Sequence, residues 1–165
     1  MIYITGDTHF SHQMLIDKGY RPADYEDKFR NAFSYLKISD ILIHLGDFCI
    51  GNDEKNHNFF SHHIWAKRIL VRGNHDKKPD TWYYKHGWDF VCDSFSLKKY
   101  GKILVFSHEP LRNFIGDINI HAHWHNNNHR WDDSFKEWYS DDKYKLYSPE
   151  NMNYQPVSLR KFLKL

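Results

Sequence analysis

Short apolar runs recur along the chain, and most of them end in polar residues of the kind that bind metal ions. The runs cover residues 2–5, 41–45, 67–71, 90–92, 102–106 and 118–120. Such short runs, rich in Ile, Leu, Val or Phe, are typical of buried strands. Amphipathic stretches between them predict helices over residues 25–36, 52–64 and 80–86. The alternation predicts an α/β domain, with a hairpin turn within residues 97–102.

The length and charge of the chain bound the class of protein. At 165 residues the chain fits one domain, residues 1–165, since single domains usually run roughly 100 to 200 residues. The 23 Lys and Arg residues nearly balance the 21 Asp and Glu residues, which gives a net charge of +2 with His neutral. A protein held on nucleic acid by phosphate neutralisation carries a larger basic excess, so any nucleic-acid contact must be local.

The cysteines and the first residues predict a soluble, cytoplasmic protein. Cys49 and Cys92 form no paired spacing, which disfavours a disulfide scaffold and a thiolate zinc knuckle. The start of the chain has neither a basic leader nor a long apolar stretch. We therefore expect no signal peptide, no membrane-spanning helix and no membrane partner.

Metal-type side chains follow the predicted strands, and the chain holds 13 histidines. In sheets flanked by helices, ligands collect beyond the carboxyl ends of the strands. Five segments would therefore deliver such side chains to one edge: Asp7 and His9, Asp47, Asn74 and His75, His108, and residues 121–125.

The motif Gly-Asn-His-Asp at residues 73–76 is informative by itself, because a shuffled chain would contain it only roughly 0.004 times. Asp-x-His and His-x-His would each arise roughly once by chance. Their order adds information, since GDTHFSH, LGDF, RGNHD, FSH and HAHWH follow one another, each after an apolar run.

In this order the motifs resemble those of the calcineurin-like metallophosphoesterase superfamily, which are D-x-H, G-D-x-x-D, G-N-H-D/E, a lone His and G-H-x-H. The resemblance spans residues 7–125, and NMNYQPVSL at residues 151–159 is similar to the C-terminal stretch of small prokaryotic and phage members. It implies a single-domain α/β sandwich of two mixed β-sheets flanked by helices. It also implies a dinuclear metal-dependent phosphoesterase that hydrolyses a phosphate monoester or diester.

Carried over by position, the resemblance implies two metal sites that share one carboxylate. The first ion would be held by Asp7, His9, Asp47 and His125. The second ion would be held by Asp47, Asn74, His108 and His123. His75 falls on the family's catalytic histidine, which is not a metal ligand.

These residue types suit two-metal hydrolysis on chemical grounds. Two divalent cations about 3.5 to 4 Å apart need a bridging carboxylate, further N and O donors and an open position for water. A water bound to both ions becomes a hydroxide near neutral pH and attacks phosphorus, while His75 as general acid protonates the leaving group. The mixed donors favour Mn, with Fe, Ni or Zn as alternatives. The substrate is a phosphate ester, with nucleotides and nucleic-acid ends among the candidates.

The chain departs from the family pattern after Asp47. Ile50 stands where many members have an Asp that orients the catalytic histidine, so Asp76 or a backbone carbonyl is the candidate for that role. The Asp-Arg-Gly extension of the protein phosphatases is absent, which disfavours a protein serine/threonine phosphatase.

The last motif also departs from the pattern, because Ala122 replaces its glycine. Its best alignment makes His123 and His125 the ligands. A shifted register would use His121 and His123 instead.

Residues outside these assignments have simpler interpretations as well. His12 and Arg72 are candidate substrate-binding residues, although an ordinary surface role fits both. His44 is expected to pack inside a strand, and Arg21 and Arg112 are left undecided. The remaining histidines are expected on the surface: His57, His62, His63, His86 and His129. Residues 126–145 are expected to form a surface excursion whose aromatic side chains pack as a lid or stack on a base.

Two other classes of function are compatible with the histidines. A non-catalytic metal-binding scaffold of the same fold would bind a partner protein, but the complete ligand set and His75 argue against it. A zinc-stabilised nucleic-acid binder is disfavoured by the net charge of +2. Metal stoichiometry and hydrolysis separate these three interpretations.

Overall fold

Nine strands and five helices lie in the part of the chain that the computed structural model describes, residues 1–126 and 141–165. The strands are β1 (Ile2–Thr5), β2 (Ile41–His44), β3 (Lys67–Val71), β4 (Phe90–Cys92), β5 (Ser94–Lys99), β6 (Lys102–Ser107), β7 (Ile118–His121), β8 (Tyr144–Leu146) and β9 (Val157–Ser158). The helices are α1 (Gln13–Asp17), α2 (Tyr25–Ser34), α3 (Asp53–His63), α4 (Asp80–Lys85) and α5 (Leu159–Phe162). Within these described ranges, every helix is too short or too polar to cross a bilayer.

The strands form two mixed sheets. The first has the order β4-β3-β2-β1-β9, in which β1 to β4 run parallel and β9 pairs antiparallel with β1. The second has the order β5-β6-β7-β8, in which β5 and β6 are antiparallel and the other pairs are parallel. The predicted α/β arrangement of two mixed sheets with flanking helices is confirmed.

The first sheet separates two hydrophobic cores, because successive side chains of a strand point to opposite faces. Ile4, Ile43 and Val71 pack in the core shared with β6 and β7 of the second sheet. Leu42 and Leu70 pack in the core shared with α2, α3 and α4. With both faces covered, the parallel strands are apolar runs rather than alternating ones.

The predicted strands are confirmed to within one residue at each end, and the three predicted helices to within two. The hairpin is confirmed too, since β5 and β6 are joined through Tyr100 and Gly101 at φ 54° and 73°. Two successive left-handed residues give a turn whose twist matches that of the strands.

Four short elements were not predicted: α1, β8, β9 and α5. Elements of two to five residues are too short to show a periodic pattern. Of the expected excursion at residues 126–145, residues 127–140 lie outside the described part, and its end contributes to β8.

The expectation that His57 lies on the surface is wrong. Its side chain is 2% exposed, its Nδ1 accepts a hydrogen bond from Nε1 of Trp88 at 2.9 Å, and its ring packs 4.3 Å from that of Phe48. Asn56, His57 and Phe60 form the buried face of α3, and Ile64 directly after the helix continues the same spacing.

The other histidines outside the motifs differ in exposure. His44 is buried, as expected. His62 and His63 are exposed, as expected, whereas His86 is half-buried against the Trp82 ring. His129 lies outside the described residues.

Candidate metal centre

Five of the predicted ligands lie on backbone in the left-handed region, where the chain turns sharply after a strand. The φ angle is 48° at Asp7, 47° at His9, 55° at Asp47, 67° at His123 and 52° at His125. Asp and His tolerate this region better than most residues. Because such strained positions concentrate at functional sites, this grouping marks the carboxyl-end edge of the sheets as a candidate site.

The loops after β1, β2 and β3 pack without room for side chains between them. The N–H of Asp7 donates to the carbonyl of Gly46 at 2.9 Å. A Cβ on Gly46, where φ is 86°, would lie 2.6 Å from the nitrogen of Gly73. A Cβ on Gly73 would lie 2.1 Å from Oδ1 of Asp47. Both positions therefore require glycine.

Asp7, His9 and His125 form the first candidate cluster. Nε2 of His9 lies 3.8 Å from Oδ1 of Asp7, and Nε2 of His125 lies 3.9 Å from the same oxygen. That oxygen is buried and accepts no hydrogen bond from a described residue. Burial raises the pKa of Asp7 and lowers the pKa of His9 well below its usual value. Burial would lower the pKa of His125 as well, but the charges of Asp7 and Glu150 outweigh burial and raise it. A buried carboxylate oxygen beside two imidazole nitrogens fits a metal cation.

The second candidate cluster centres on His108. Its Nε2 lies 3.1 Å from Oδ1 of Asn74, 2.9 Å from Nδ1 of His123 and 3.5 Å from Oδ2 of Asp47. Its Nδ1 lies 2.7 Å from the carbonyl oxygen of Leu45 and therefore carries a proton, which leaves Nε2 to face the other donors.

The carboxylates near His108 attract positive charge to this point. Burial by itself would lower the pKa of His108. The hydrogen bond to Asp47 and the negative charges of Asp7 and Asp47 outweigh burial and raise the pKa of His108 to about 9. A metal ion competes with that proton for the same electron pair.

Oδ2 of Asp47 lies between the two clusters. It is 3.7 Å from Nε2 of His9 in the first cluster and 3.5 Å from Nε2 of His108 in the second. A carboxylate oxygen in this place is within reach of ions at both points.

Backbone N–H groups hold the other oxygen of each carboxylate. Oδ2 of Asp7 accepts from the N–H of His123 at 2.8 Å, and Oδ1 of Asp47 accepts from the N–H of His75 at 2.8 Å. Both side chains are thus oriented by the fold, with the remaining oxygen directed at the clusters.

His75 lies at the rim of the candidate site. Its side chain is 42% exposed, and its Nε2 is 4.0 Å from Oδ2 of Asp47. Asp76, a candidate for orienting this ring, is engaged elsewhere, since its oxygens accept from the N–H groups of Asp47, Phe48 and Gly73. Burial raises the pKa of Asp76 to about 6, and its bonds tie the loops after β2 and β3 together.

The two candidate substrate-binding residues differ in position. The His12 ring is 5.5 Å from the His9 ring, and its Nδ1 has no hydrogen-bond partner among the described residues. The guanidinium of Arg72 pairs with Asp80 at 2.6 Å and Asp93 at 2.7 Å. The structure therefore brings His12 to the clusters and holds Arg72 in a separate ion-pair network.

The shifted register of the last motif is not assembled. His121 remains in β7, where it is fully buried, and burial lowers its pKa to about 4. His123 and His125 are the two histidines of this motif that reach the clusters.

Arg21 and Glu150 form the wall behind the first cluster, and motif reasoning missed both roles. Arg21 is 3% exposed, donates to the carbonyls of Asp7 and Thr8 at 2.8 and 3.0 Å, and pairs with Glu150 at 2.9 Å. Oε1 of Glu150 lies 3.3 Å from Nδ1 of His125. Burial would raise the pKa of Glu150, but the bond from His125 and the charge of Arg21 lower it to about 2. The sequence signal was the position of Glu150 directly before the NMNYQPVSL stretch.

A family model for calcineurin-like phosphoesterases matches residues 1–163. The chain belongs to the calcineurin-like phosphoesterase family. The resemblance drawn from the motifs is confirmed. Members of this phosphoesterase family use divalent metals and act on phosphate esters, and this member has two candidate metal-binding clusters.

Two solved structures are similar to this calcineurin-like phosphoesterase. A protein of unknown function from Aquifex aeolicus is 26% identical, with 99% of this chain and 98% of that chain covered and a TM-score of 0.74. An archaeal phosphodiesterase is 18% identical, with 90% and 82% covered and a TM-score of 0.46. Among curated proteins, none matches the chain.

Proposed function

We propose that this protein is a dinuclear metal-dependent phosphoesterase that hydrolyses a phosphate monoester or diester. The observation that carries the proposal is the position of Asp47 Oδ2, 3.7 Å from Nε2 of His9 and 3.5 Å from Nε2 of His108. One carboxylate oxygen between two histidine clusters suits the bridging ligand of a two-metal site.

In this proposal the first ion is bound by Asp7, His9, Asp47 and His125. The second is bound by Asp47, Asn74, His108 and His123. The mixed N and O donors suit Mn, Fe, Ni or Zn, and because metal availability decides among them as much as affinity, Mn is our first choice. When bound, the ions supply a water of lowered pKa and neutralise charge on the phosphoryl oxygens.

His75 protonates the leaving oxygen in this proposal. Its ring is at the rim, within 4.0 Å of Asp47 Oδ2, and its side chain is open enough to meet a substrate. A histidine that lies beside the ions without binding them is placed for proton transfer to the leaving oxygen. Nucleotides and nucleic-acid ends are the candidate substrates.

The test is hydrolysis of generic aryl monoesters, aryl diesters and a nucleotide panel by Mn-loaded protein. We expect cleavage that stops when a chelator is added and that is lost in Asp47→Asn. Asp142→Asn, an exposed carboxylate change, is the matched control and keeps the activity. Absence of cleavage with several metals, while the ions are demonstrably bound, would overturn the proposal and favour a metal-binding scaffold.

A further inference from the structure

A cavity of about 520 Å³ opens beside the first cluster. His9, His75 and His125 form its inner wall, at the point where the reacting phosphate would lie. Its outer wall is largely apolar and comes from the α1 segment and the loop after β2, through Met14, Leu15, Tyr20 and Ile50.

The end of α1 explains why an aromatic side chain stands at the rim of this cavity. Gly19 has φ 68°, its N–H donates to the carbonyl of Ile16, and the N–H of Tyr20 donates to the carbonyl of Leu15. These two bonds form a Schellman motif, which stops the helix and fixes the next residue. Tyr20 is thereby held at the cavity with 57% of its surface exposed.

The side chains of the described residues that line the outer part of the cavity carry no unpaired Lys, Arg, Asp or Glu charge. Among its described lining residues, Arg21 and Glu150 are the charged ones, and they pair with each other at 2.9 Å. A polyanionic group would find no unpaired lysine or arginine there. An uncharged group with an apolar, planar face can instead pack on Ile50 and stack on Tyr20.

A second, smaller cleft of about 270 Å³ adjoins this cavity, since His75 and Ile50 line both. Lys77 and Lys78 line this cleft, and Lys78 pairs with Asp53 at 3.3 Å. Two clefts that meet at His75 leave room for two ester groups. A monoester would occupy only one of them.

We infer that the substrate is a phosphodiester with one uncharged, planar-ringed arm of the nucleoside type, which lies in the α1 cavity against Tyr20. The inference rests on the proposed function. In the reaction, the oxygen of water bonds to phosphorus and the P–O bond to the leaving arm breaks. The leaving oxygen keeps the bond electrons and takes a proton, which gives an alcohol and a phosphate monoester.

The test compares three p-nitrophenyl esters with the Mn-loaded protein: the thymidine 5′ diester, the methyl diester and the monoester. We expect the highest kcat/KM for the thymidine diester. Tyr20→Ala should raise its KM roughly tenfold and lower its preference over the methyl diester by a similar factor. Tyr20→Phe keeps the ring and should keep the preference. Tyr35→Ala, which removes an exposed tyrosine away from the cavity, is the control.

Equal kcat/KM values for the two diesters, or faster cleavage of the monoester, would overturn the inference and leave the proposed function standing. A preference for thymidine that survives Tyr20→Ala would also overturn it. Cleavage of none of the three esters by protein with bound ions would overturn both.

Discussion

Glu150 holds His125 on the side of the ring that faces away from the candidate metal ligands. Its Oε1 lies 3.3 Å from Nδ1 of His125, while Nε2 of that ring lies 3.9 Å from Oδ1 of Asp7. Nη2 of Arg21 lies 3.1 Å from the same Nδ1, so the Arg21–Glu150 pair holds the outer edge of the ring and leaves Nε2 to face the candidate ligands. Glu150 is thus a positioning residue that reaches the site from the C-terminal part of the chain.

We expect Glu150→Gln to weaken binding of the first ion by about 10- to 100-fold, because the amide lacks the negative charge that pairs with Arg21 and holds the outer edge of the His125 ring. Calorimetric titration of metal-stripped protein with Mn²⁺ measures this. Glu54→Gln, on the exposed side of α3, is the control. Unchanged affinity in Glu150→Gln would show that His125 needs no such partner.

Gly73→Ala should disrupt the candidate site from within, because its Cβ would lie 2.1 Å from Oδ1 of Asp47. Overpacking of this kind costs about 1 to 3 kcal/mol of unfolding free energy, and here it also displaces the carboxylate of Asp47, the proposed bridging ligand. We expect metal binding to fall together with stability.

Gly101→Ala in the β5–β6 turn is the contrast to Gly73→Ala. Its φ is 73°, but nothing lies within 4 Å of the added Cβ, so it should lower stability by about 1 kcal/mol and leave metal stoichiometry unchanged. Equal metal loss in both variants, measured after desalting, would contradict the role assigned to Gly73.

The burial of His57 should lower the free energy of unfolding in acid. Burial lowers its pKa to about 3 in the folded protein, against about 6.5 in the unfolded chain. As the pH falls below 6.5, the unfolded chain takes up the proton first, so the free energy of unfolding decreases by up to about 1.4 kcal/mol per pH unit until about pH 3.

His57→Gln removes this titration and keeps an acceptor for Nε1 of Trp88. The variant should be less stable at neutral pH, with a slope of unfolding free energy against pH that is shallower by about one proton. Denaturant unfolding of metal-free protein from pH 7 to pH 4 measures the slope, with exposed His62→Gln as control. Equal slopes for wild type and His57→Gln would contradict the burial of a neutral imidazole.

The strands could be predicted from the sequence because they depend on local patterns of apolar residues. The strands before Asp7, Asp47 and Asn74 are apolar runs covered on both faces. Runs of that kind can be recognised in the sequence without knowledge of tertiary contacts. His57 was misplaced although its spacing to Phe60 carried a usable signal. The role of Glu150 depends on a contact across 25 residues of sequence, which no local pattern encodes.

His75→Ala should distinguish proton transfer from metal binding. Loss of a general acid typically costs about 10²- to 10⁴-fold in kcat, and the loss depends on how much the leaving group needs a proton. We expect a large loss on an alkyl ester, a much smaller loss on a p-nitrophenyl ester and retention of both ions.

Two control variants show what no effect and a general loss of activity look like beside His75→Ala. Exposed His63→Ala should leave both rates unchanged, whereas Asp47→Asn should damage both substrates alike. Equal losses on the two esters, or loss of an ion in His75→Ala, would show that His75 has a different role.

In the proposed function two ions share the carboxylate of Asp47, and electron paramagnetic resonance of the protein with two equivalents of Mn²⁺ detects such a pair. Because ions bridged by one ligand are exchange-coupled, we expect the spectrum of a coupled Mn pair in the wild type and its loss in Asp47→Asn. A spectrum of isolated Mn²⁺ ions in the wild type, unchanged by Asp47→Asn, would contradict a shared carboxylate.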